Sequence, residues 1–422
     1  MVKRFYYGWV CVGAGFLIQF LYGVHYAFAL FLGPLAETFA CSRVAISVAP
    51  ALMYGVAIPA RLIWGRMLDV YGARLTFALS CLLGGAGLIL SGFTRELWQF
   101  NLTYGVLWGA GWSAFFFTSS GLIRRWFAKK AGMALGIAGC GTPFGWLIVL
   151  PLAGYLISTL GWRGAFLALG VLVWLVGLVA AVVVKNAPED IGLVPDGDTL
   201  RLTSAREGGA VPSAVDWEVG EAIHTRSFWF MGLACFGLLA GLTIITVHGV
   251  AYCVERGITP ETAASIFGIM GLLALLGKLG GGLFGDYLVR RGMAAVHARR
   301  YMLGLSGLLM GIGIVILLWL PGHGWLWAWA LAFGIGYGIH GPQMGAIIGD
   351  MFGRKNIGLL MTLSSGIAGG LGGLVSPLLA GWIYDLTGNY QMALQLAILF
   401  CALAVIFSLL IITPRKHKVV SV

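Results

Sequence analysis

Gly65-Arg66-Met67-Leu68-Asp69-Val70-Tyr71-Gly72-Ala73-Arg74 breaks into an apolar stretch of chain: one apolar run, 44–64, leads into it and another, 75–93, leaves it. Each run has roughly the 20 residues that an α-helix needs to cross a ~30 Å hydrocarbon layer. The segment between them is too short for a domain and too charged for lipid, so it reads as a tight loop at a membrane surface. Working outward, further runs fall at 8–33, 98–122, 132–159, 164–185, 228–253, 262–284, 301–320, 325–349, 359–384 and 393–413, making twelve. The composition agrees: 59% hydrophobic residues, 10% charged residues and a mean hydropathy of +0.91 leave too little charge to cover a water-facing surface. The expectation is an all-α membrane protein with twelve transmembrane helices.

The formal charge of +11 bears on orientation rather than on nucleic acid. Lys3, Arg4, Arg66, Arg74, Arg124, Arg125, Lys129, Lys130, the residues from Arg290 to Arg300, Arg354, Lys355 and the tail from Arg415 to Lys418 fall on one side. Arg43, Arg95, Arg163 and Arg256 fall on the other. The positive-inside rule makes the first side cytoplasmic, with both termini inside a plasma or bacterial inner membrane. The first run is longer than a signal-peptide core and has no small-residue cleavage pattern, so it reads as an uncleaved span. The seven cysteines have no metal-ligand spacing, and no cofactor, disulfide framework or catalytic constellation is expected.

One long hydrophilic stretch, 186–227 with Pro188, Pro195 and Pro212, divides the chain into an N-terminal half, 1–185, and a C-terminal half, 228–422. The halves repeat each other. Gly65 to Asp69 (GRMLD) matches Gly282 to Asp286 (GLFGD), Trp126 to Lys130 (WFAKK) matches Met351 to Lys355 (MFGRK), and Pro151 to Tyr155 (PLAGY) is echoed at Pro377 to Gly381 (PLLAG). The shared direction implies parallel repeats, a cavity between them near midmembrane, and alternating access by rocking.

The opening segment resembles the G-x-x-x-D-x-x-G-x-R loop signature of the major facilitator superfamily. In that reading Gly65 and Gly72 permit the turn and the helix approach, and Asp69, Arg74, Asp286, Lys129 and Lys130 latch cytoplasmic helix ends. Trp126-Phe-Ala-Lys-Lys-Ala-Gly-Met-Ala-Leu-Gly136-Ile-Ala-Gly-Cys-Gly141-Thr-Pro-Phe-Gly145 is similar to the fifth-span signature of the monocarboxylate porter family, which includes oxalate:formate antiporters. Gly8-Trp9, Gly161-Trp-Arg163, Asn186-Ala-Pro-Glu-Asp-Ile-Gly192 and Asp385-Leu-Thr-Gly388 extend that resemblance over most of the chain. Gly132 and Gly136, like Gly141 and Gly145, are four apart, which suits close helix packing. The resemblance also implies that a basic residue in the eighth span, here Lys278 where arginine is usual, binds a substrate carboxylate.

All sixteen acidic residues fall in loops or at span ends, whereas Arg61 and Lys278 lie inside spans. An interior cation is costly and marks a wet, functional surface by default. Arg61 precedes Asp69 by eight residues and Lys278 precedes Asp286 by eight, so each stands ~12 Å above its loop on an equivalent helix. His25 and His248 are a second pair of mates, and Tyr22, Tyr26, Tyr252 and Tyr337 add hydroxyl donors, with His340 and Gln343 in the tenth span. An interior with cations and no carboxylate favours anions and repels cations. The expectation is a monomeric secondary transporter, not an enzyme, for small organic anions. Monocarboxylates such as lactate or pyruvate come first, with a dicarboxylate exchanger or a neutral-solute facilitator as the alternatives. Proton symport through a histidine or Lys278, and exchange against a counter-anion, both remain open.

Overall fold

In lipid every backbone N–H and C=O must find a partner within its own segment, so runs of this length and composition become helices. In a computed structural model of the chain, residues 6–127, 130–195, 217–319, 324–353 and 357–414 are described, and among them regular structure is entirely helical. We number the membrane helices α1 (Gly8–Thr38), α2 (43–71), α3 (73–92), α4 (Leu97–Trp126), α5 (131–160), α6 (162–183), α7 (Arg226–Glu255), α8 (Pro260–Arg290), α9 (Ala295–Leu318), α10 (Trp325–Phe352), α11 (357–387) and α12 (Gln391–Leu409).

Single glycines make two of the turns. Between α2 and α3 the chain reverses at Gly72, with φ +82° and ψ 174°, and between α5 and α6 at Gly161, with φ +69°. An L-residue rarely adopts that backbone, which is why a loop of almost no length can join two spans here. A Cβ on Gly72 would strike the side chain of Asn186, whose Oδ1 accepts the Arg74 backbone N–H at 3.0 Å. A Cβ on Gly65 would meet nothing within 4 Å, so the expected need for glycine holds at Gly72 and not at Gly65.

Helix interruptions fall inside spans rather than at their ends. The first helix runs to Thr38, beyond the expected 33, with breaks at Leu21 and Ala27 and a proline at position 34. Asn101–Trp108 in α4 and Thr362–Ile367 in α11 are π-helical. Small residues set the closest approaches: a Cβ on Gly141 or Gly145 would meet the backbone carbonyls of Phe16 and Phe20 on α1, so α1 and α5 touch backbone to backbone there. Gly132 and Gly136 face open space, so the packing role expected of all four glycines belongs only to the second pair.

The chain forms two compact units that do not follow the sequence division. The first holds α1–α6 together with residues 246–272 and 377–389, which are the end of α7, the first part of α8 and the end of α11. The second holds α9, α10 and α12 with the rest of α7, α8 and α11. The added pieces join the first unit through specific contacts. Gly381 lies against the Arg43 carbonyl, Gly271 against Trp146, and the Asp385 carboxylate accepts the Arg43 and Val44 backbone N–H groups at 2.8 and 2.9 Å. Most of the expected linker, 196–216, lies outside the described residues.

Candidate substrate site

In the first unit, four of the polar positions converge. Arg61, on α2, has its guanidinium 5.4 Å from the Phe117 ring, and its Nε is buried without a hydrogen bond among the described residues. The phenols of Tyr22 and Tyr54 lie within its electrostatic reach. His25 Nε2 shares a 3.0 Å hydrogen bond with the Tyr54 hydroxyl, and its ring packs 4.7 Å from Trp112 and 4.6 Å from Tyr26. Trp112 also meets Tyr22 edge to face at 5.4 Å. The result is a guanidinium and an imidazole inside an aromatic cup, with phenol groups as the hydrogen-bonding tips. His25 Nδ1 is buried with no partner among the described residues, a second polar atom left open in the same cup.

Tyr54 was not among the sequence candidates. It lies seven residues before Arg61 on one helix, two turns away and on the same face, so spacing alone places it beside the cation. Tyr26 belongs to the same cup, with its ring 3.9 Å from Trp146.

The second unit carries Lys278, half-buried on α8, and the α10 pair Tyr337 and His340. The Lys278 ammonium acts electrostatically on the His340 ring, and Tyr337 stacks on His340 at 6.5 Å. His340 Nε2 is buried without a hydrogen bond among the described residues. Gly277 and Gly338, whose Cβ positions would meet the carbonyls of Ile335 and Ala274, bring α8 and α10 together at this level and put the lysine next to the histidine. Gln343, fully buried, donates to the Gly281 carbonyl at 2.8 Å and so ties the same two helices together.

His248 and Tyr252 are placed elsewhere, in the first unit at the end of α7. The Ser47 hydroxyl donates to the Arg43 carbonyl at 2.7 Å, and the Pro377 carbonyl can only accept, so His248 Nε2 carries the proton and donates to Pro377 at 3.0 Å. Ser47 Oγ lies 3.4 Å from the same nitrogen. The bond ties α7 to α11 through a buried carbonyl and gives this histidine a structural employment. Tyr252 is buried beneath the Arg256 guanidinium, 5.2 Å from its ring. The symmetric pairing of His25 with His248 therefore does not carry over to their surroundings.

The residues expected to form a latch fall in two clusters. In the first unit Asp69 faces Arg125 Nη2 at 3.7 Å, and Arg125 also donates to the Leu68 carbonyl at 3.2 Å. The Asp69 side chain is 81% exposed, so this pair contributes little. Arg74 takes part through its backbone and Asn186, and its side chain forms no ion pair among the described residues. Lys130 is exposed at the start of α5, and Lys129 lies outside the described residues. In the second unit Asp286 accepts from Arg299 Nη2 at 2.6 Å, and Asp350 receives Arg299 Nε at 3.5 Å. Arg299 was not a sequence candidate. The repeat aligns Asp350 with Arg125, so the second copy has a carboxylate where the first has a guanidinium, and Arg299 supplies the missing cation.

The family described as Major Facilitator Superfamily matches residues 13–297 and 292–421. Monocarboxylate transporter 11 of Mus musculus is 27% identical over 401 residues, covering 91% of this chain and 83% of its own length. The Homo sapiens protein of the same name is also 27% identical, over 93% of this chain and 80% of its own length, and Monocarboxylate transporter 12 of Rattus norvegicus is 26% identical over 82% and 74%. Among solved structures, a bacterial homolog to the human lysosomal transporter Spinster, described as inward-facing and unoccupied, superposes with a TM-score of 0.74 at 14% identity, over 97% of both chains. The match of fold and of family profile along nearly the whole chain makes this a membrane transporter rather than an enzyme, and the chain belongs to the Major Facilitator Superfamily.

Proposed function

We propose that the chain carries small organic anions, monocarboxylates such as lactate or pyruvate foremost, across a plasma or bacterial inner membrane by alternating access, with both termini in the cytoplasm. The observation that carries this reading is the pair of cationic clusters, Arg61 in the first unit and Lys278 in the second. Every described acidic residue lies in a loop or near a helix end, away from both. A carboxylate brings negative charge to either cationic cluster and offers acceptors to the phenols beside it, Tyr22 and Tyr54 in the first unit or Tyr337 in the second. Lys278 is the principal anchor, held beside His340, and Arg61 is the second, held beside Tyr54 and His25. The names of the similar transporters support the substrate class.

A coupling proton travels on the His340–Lys278 pair, or the substrate exchanges against another anion. The test is uptake of labelled lactate, pyruvate and oxalate into proteoliposomes, with and without an inward proton gradient and with preloaded anion. Lys278→Ala abolishes uptake, and Lys278→Arg, which keeps the charge, retains part of it. Transport by Lys278→Ala at the wild-type rate overturns the assignment. A gradient requirement assigns symport, and a preload requirement assigns exchange.

A further inference from the structure

A groove of about 310 Å³ opens on the first unit between α3 and α6, lined by Tyr71, Arg74, Leu75, Ala78, Leu178, Ala181, Val182 and Asn186. Ala78 and Ala181 are the small side chains of this set, and they make room for a slot. Leu75, Leu178 and Val182 are its apolar walls. The slot opens toward lipid. Val182 is 66% exposed, and Leu75, Leu79, Leu82, Leu175 and Val179 on the same two helices are exposed as well. In a membrane transporter such a band of exposed aliphatic side chains meets acyl chains. At Leu82 the slot ends: the Trp174 indole donates to the Leu82 carbonyl at 3.0 Å, and Gly85 and Gly170 bring the helices into contact. From Arg74 to Leu82 is eight residues, or ~12 Å along the helix.

The mouth of the slot is polar and carries no carboxylate. The Asn186 carboxamide oxygen accepts the Arg74 backbone N–H at 3.0 Å, and Asn186, Arg74 and Tyr71 line the groove together. The Arg74 side chain enters no ion pair among the described residues. No carboxylate is among the residues that line the groove: Asp69 faces Arg125, Asp190 accepts the Ala187 N–H at 3.1 Å, and Glu189 is not part of the lining. A guanidinium, a phenol and an amide together above an apolar slot match a phosphodiester joined to a hydrocarbon tail.

We infer that this groove is a binding site for one anionic phospholipid, with its headgroup phosphate on Arg74, Tyr71 and Asn186 and one acyl chain in the α3–α6 slot. Net negative charge is preferred over a zwitterion because a choline would bring a second cation to a mouth that already holds Arg74. The site is independent of the substrate assignment and stands or falls separately from it.

Native mass spectrometry of the purified full chain in detergent, with equal phosphatidylglycerol and phosphatidylcholine added, reads it directly. The wild type retains one phosphatidylglycerol in preference to phosphatidylcholine by about tenfold, roughly the effect of one charge-assisted contact. Arg74→Gln removes the cation and Val182→Trp fills the slot while keeping the cation. Both lose the preference, whereas Arg124→Gln, a surface cation outside the groove, keeps it. Thermal unfolding confirms that the variants are folded, and Val182 faces outward, where a tryptophan is tolerated. Equal retention of the two lipids by the wild type, or an unchanged preference in either groove variant, overturns the inference. So does displacement by millimolar glycerol phosphate, which would make this a free-phosphate site instead.

Discussion

Asp385→Ala tests the contact that joins the end of α11 to the start of α2 in the first unit. The carboxylate caps the α2 N-terminus, accepting the Arg43 and Val44 N–H groups, one on each oxygen. A hydrogen bond to a charged acceptor is worth ~1.5–3 kcal/mol when shielded. This one is solvent-exposed, which reduces it to about 1 kcal/mol per bond. Losing both raises the local opening equilibrium by about 2 kcal/mol, or roughly thirtyfold. The native reporter is Cys41, in the loop between α1 and α2. Burial pushes its thiol pKa up, Arg43 pulls it back and the Asp385 charge raises it further. Neutralising Asp385 therefore acts twice in one direction, lowering the thiol pKa and exposing the sulfur, and both favour the reactive thiolate. Maleimide labelling in a Cys140→Ser background is expected to accelerate about tenfold or more at pH 7.5, with the rate profile moved to lower pH. Cys11, Cys81, Cys235, Cys253 and Cys401 are buried and contribute little. A labelling rate within twofold of wild type would refute the proposition that this cap holds the two helix ends together.

Three further outcomes follow from contacts described above. Gly72→Ala meets both a positive φ and the Asn186 side chain and costs at least about 2 kcal/mol, seen as a lowered unfolding temperature, whereas Gly65→Ala, with open space around it, is neutral or slightly stabilising. Arg299→Ala leaves Asp286 and Asp350 without their shared cation; about 2–3 kcal/mol of destabilisation is expected in a thermal-shift assay, and Asp286→Asn in the same background recovers part of it. Tyr54→Phe removes the hydroxyl that meets His25 and faces Arg61, raising the KM for a carboxylate about five- to tenfold in proteoliposome uptake with little effect on folding. An unchanged KM there removes Tyr54 from the binding surface.

The spans were legible because a ~30 Å slab imposes one length on every crossing segment, and Arg61 and Lys278 were legible because charge inside such a segment is rare. Tyr54 and His340 could have been ranked higher by spacing, since each shares a helix face with another polar candidate. What the sequence left out depends on contacts between distant residues. Asn186 filling the space left by Gly72 requires the positive φ of that glycine. Arg299 bridging two carboxylates requires the ends of α8, α9 and α10 to meet. His248 was read as a cavity residue because its sequence shows a polar group in an apolar run. The carbonyl it serves, at Pro377, is 129 residues away. The sequence division at 186–227 also held no hint that the ends of α7 and α11 would pack with the first unit, since those contacts are made by backbone groups and glycines that carry no compositional signature.

The two repeat copies solve one electrostatic problem with different hardware, and ionic strength tells them apart. Asp69 and Arg125 meet at 3.7 Å with the carboxylate mostly in water, so their attraction fades as added salt shortens the ~8 Å screening distance of physiological solutions. Arg299 is 14% exposed and grips Asp286, whose own side chain is 49% exposed, at 2.6 Å, so salt reaches this pair less than the first. Added salt thus weakens the first pair more than the second, and the two copies of the repeat differ in their response to ionic strength.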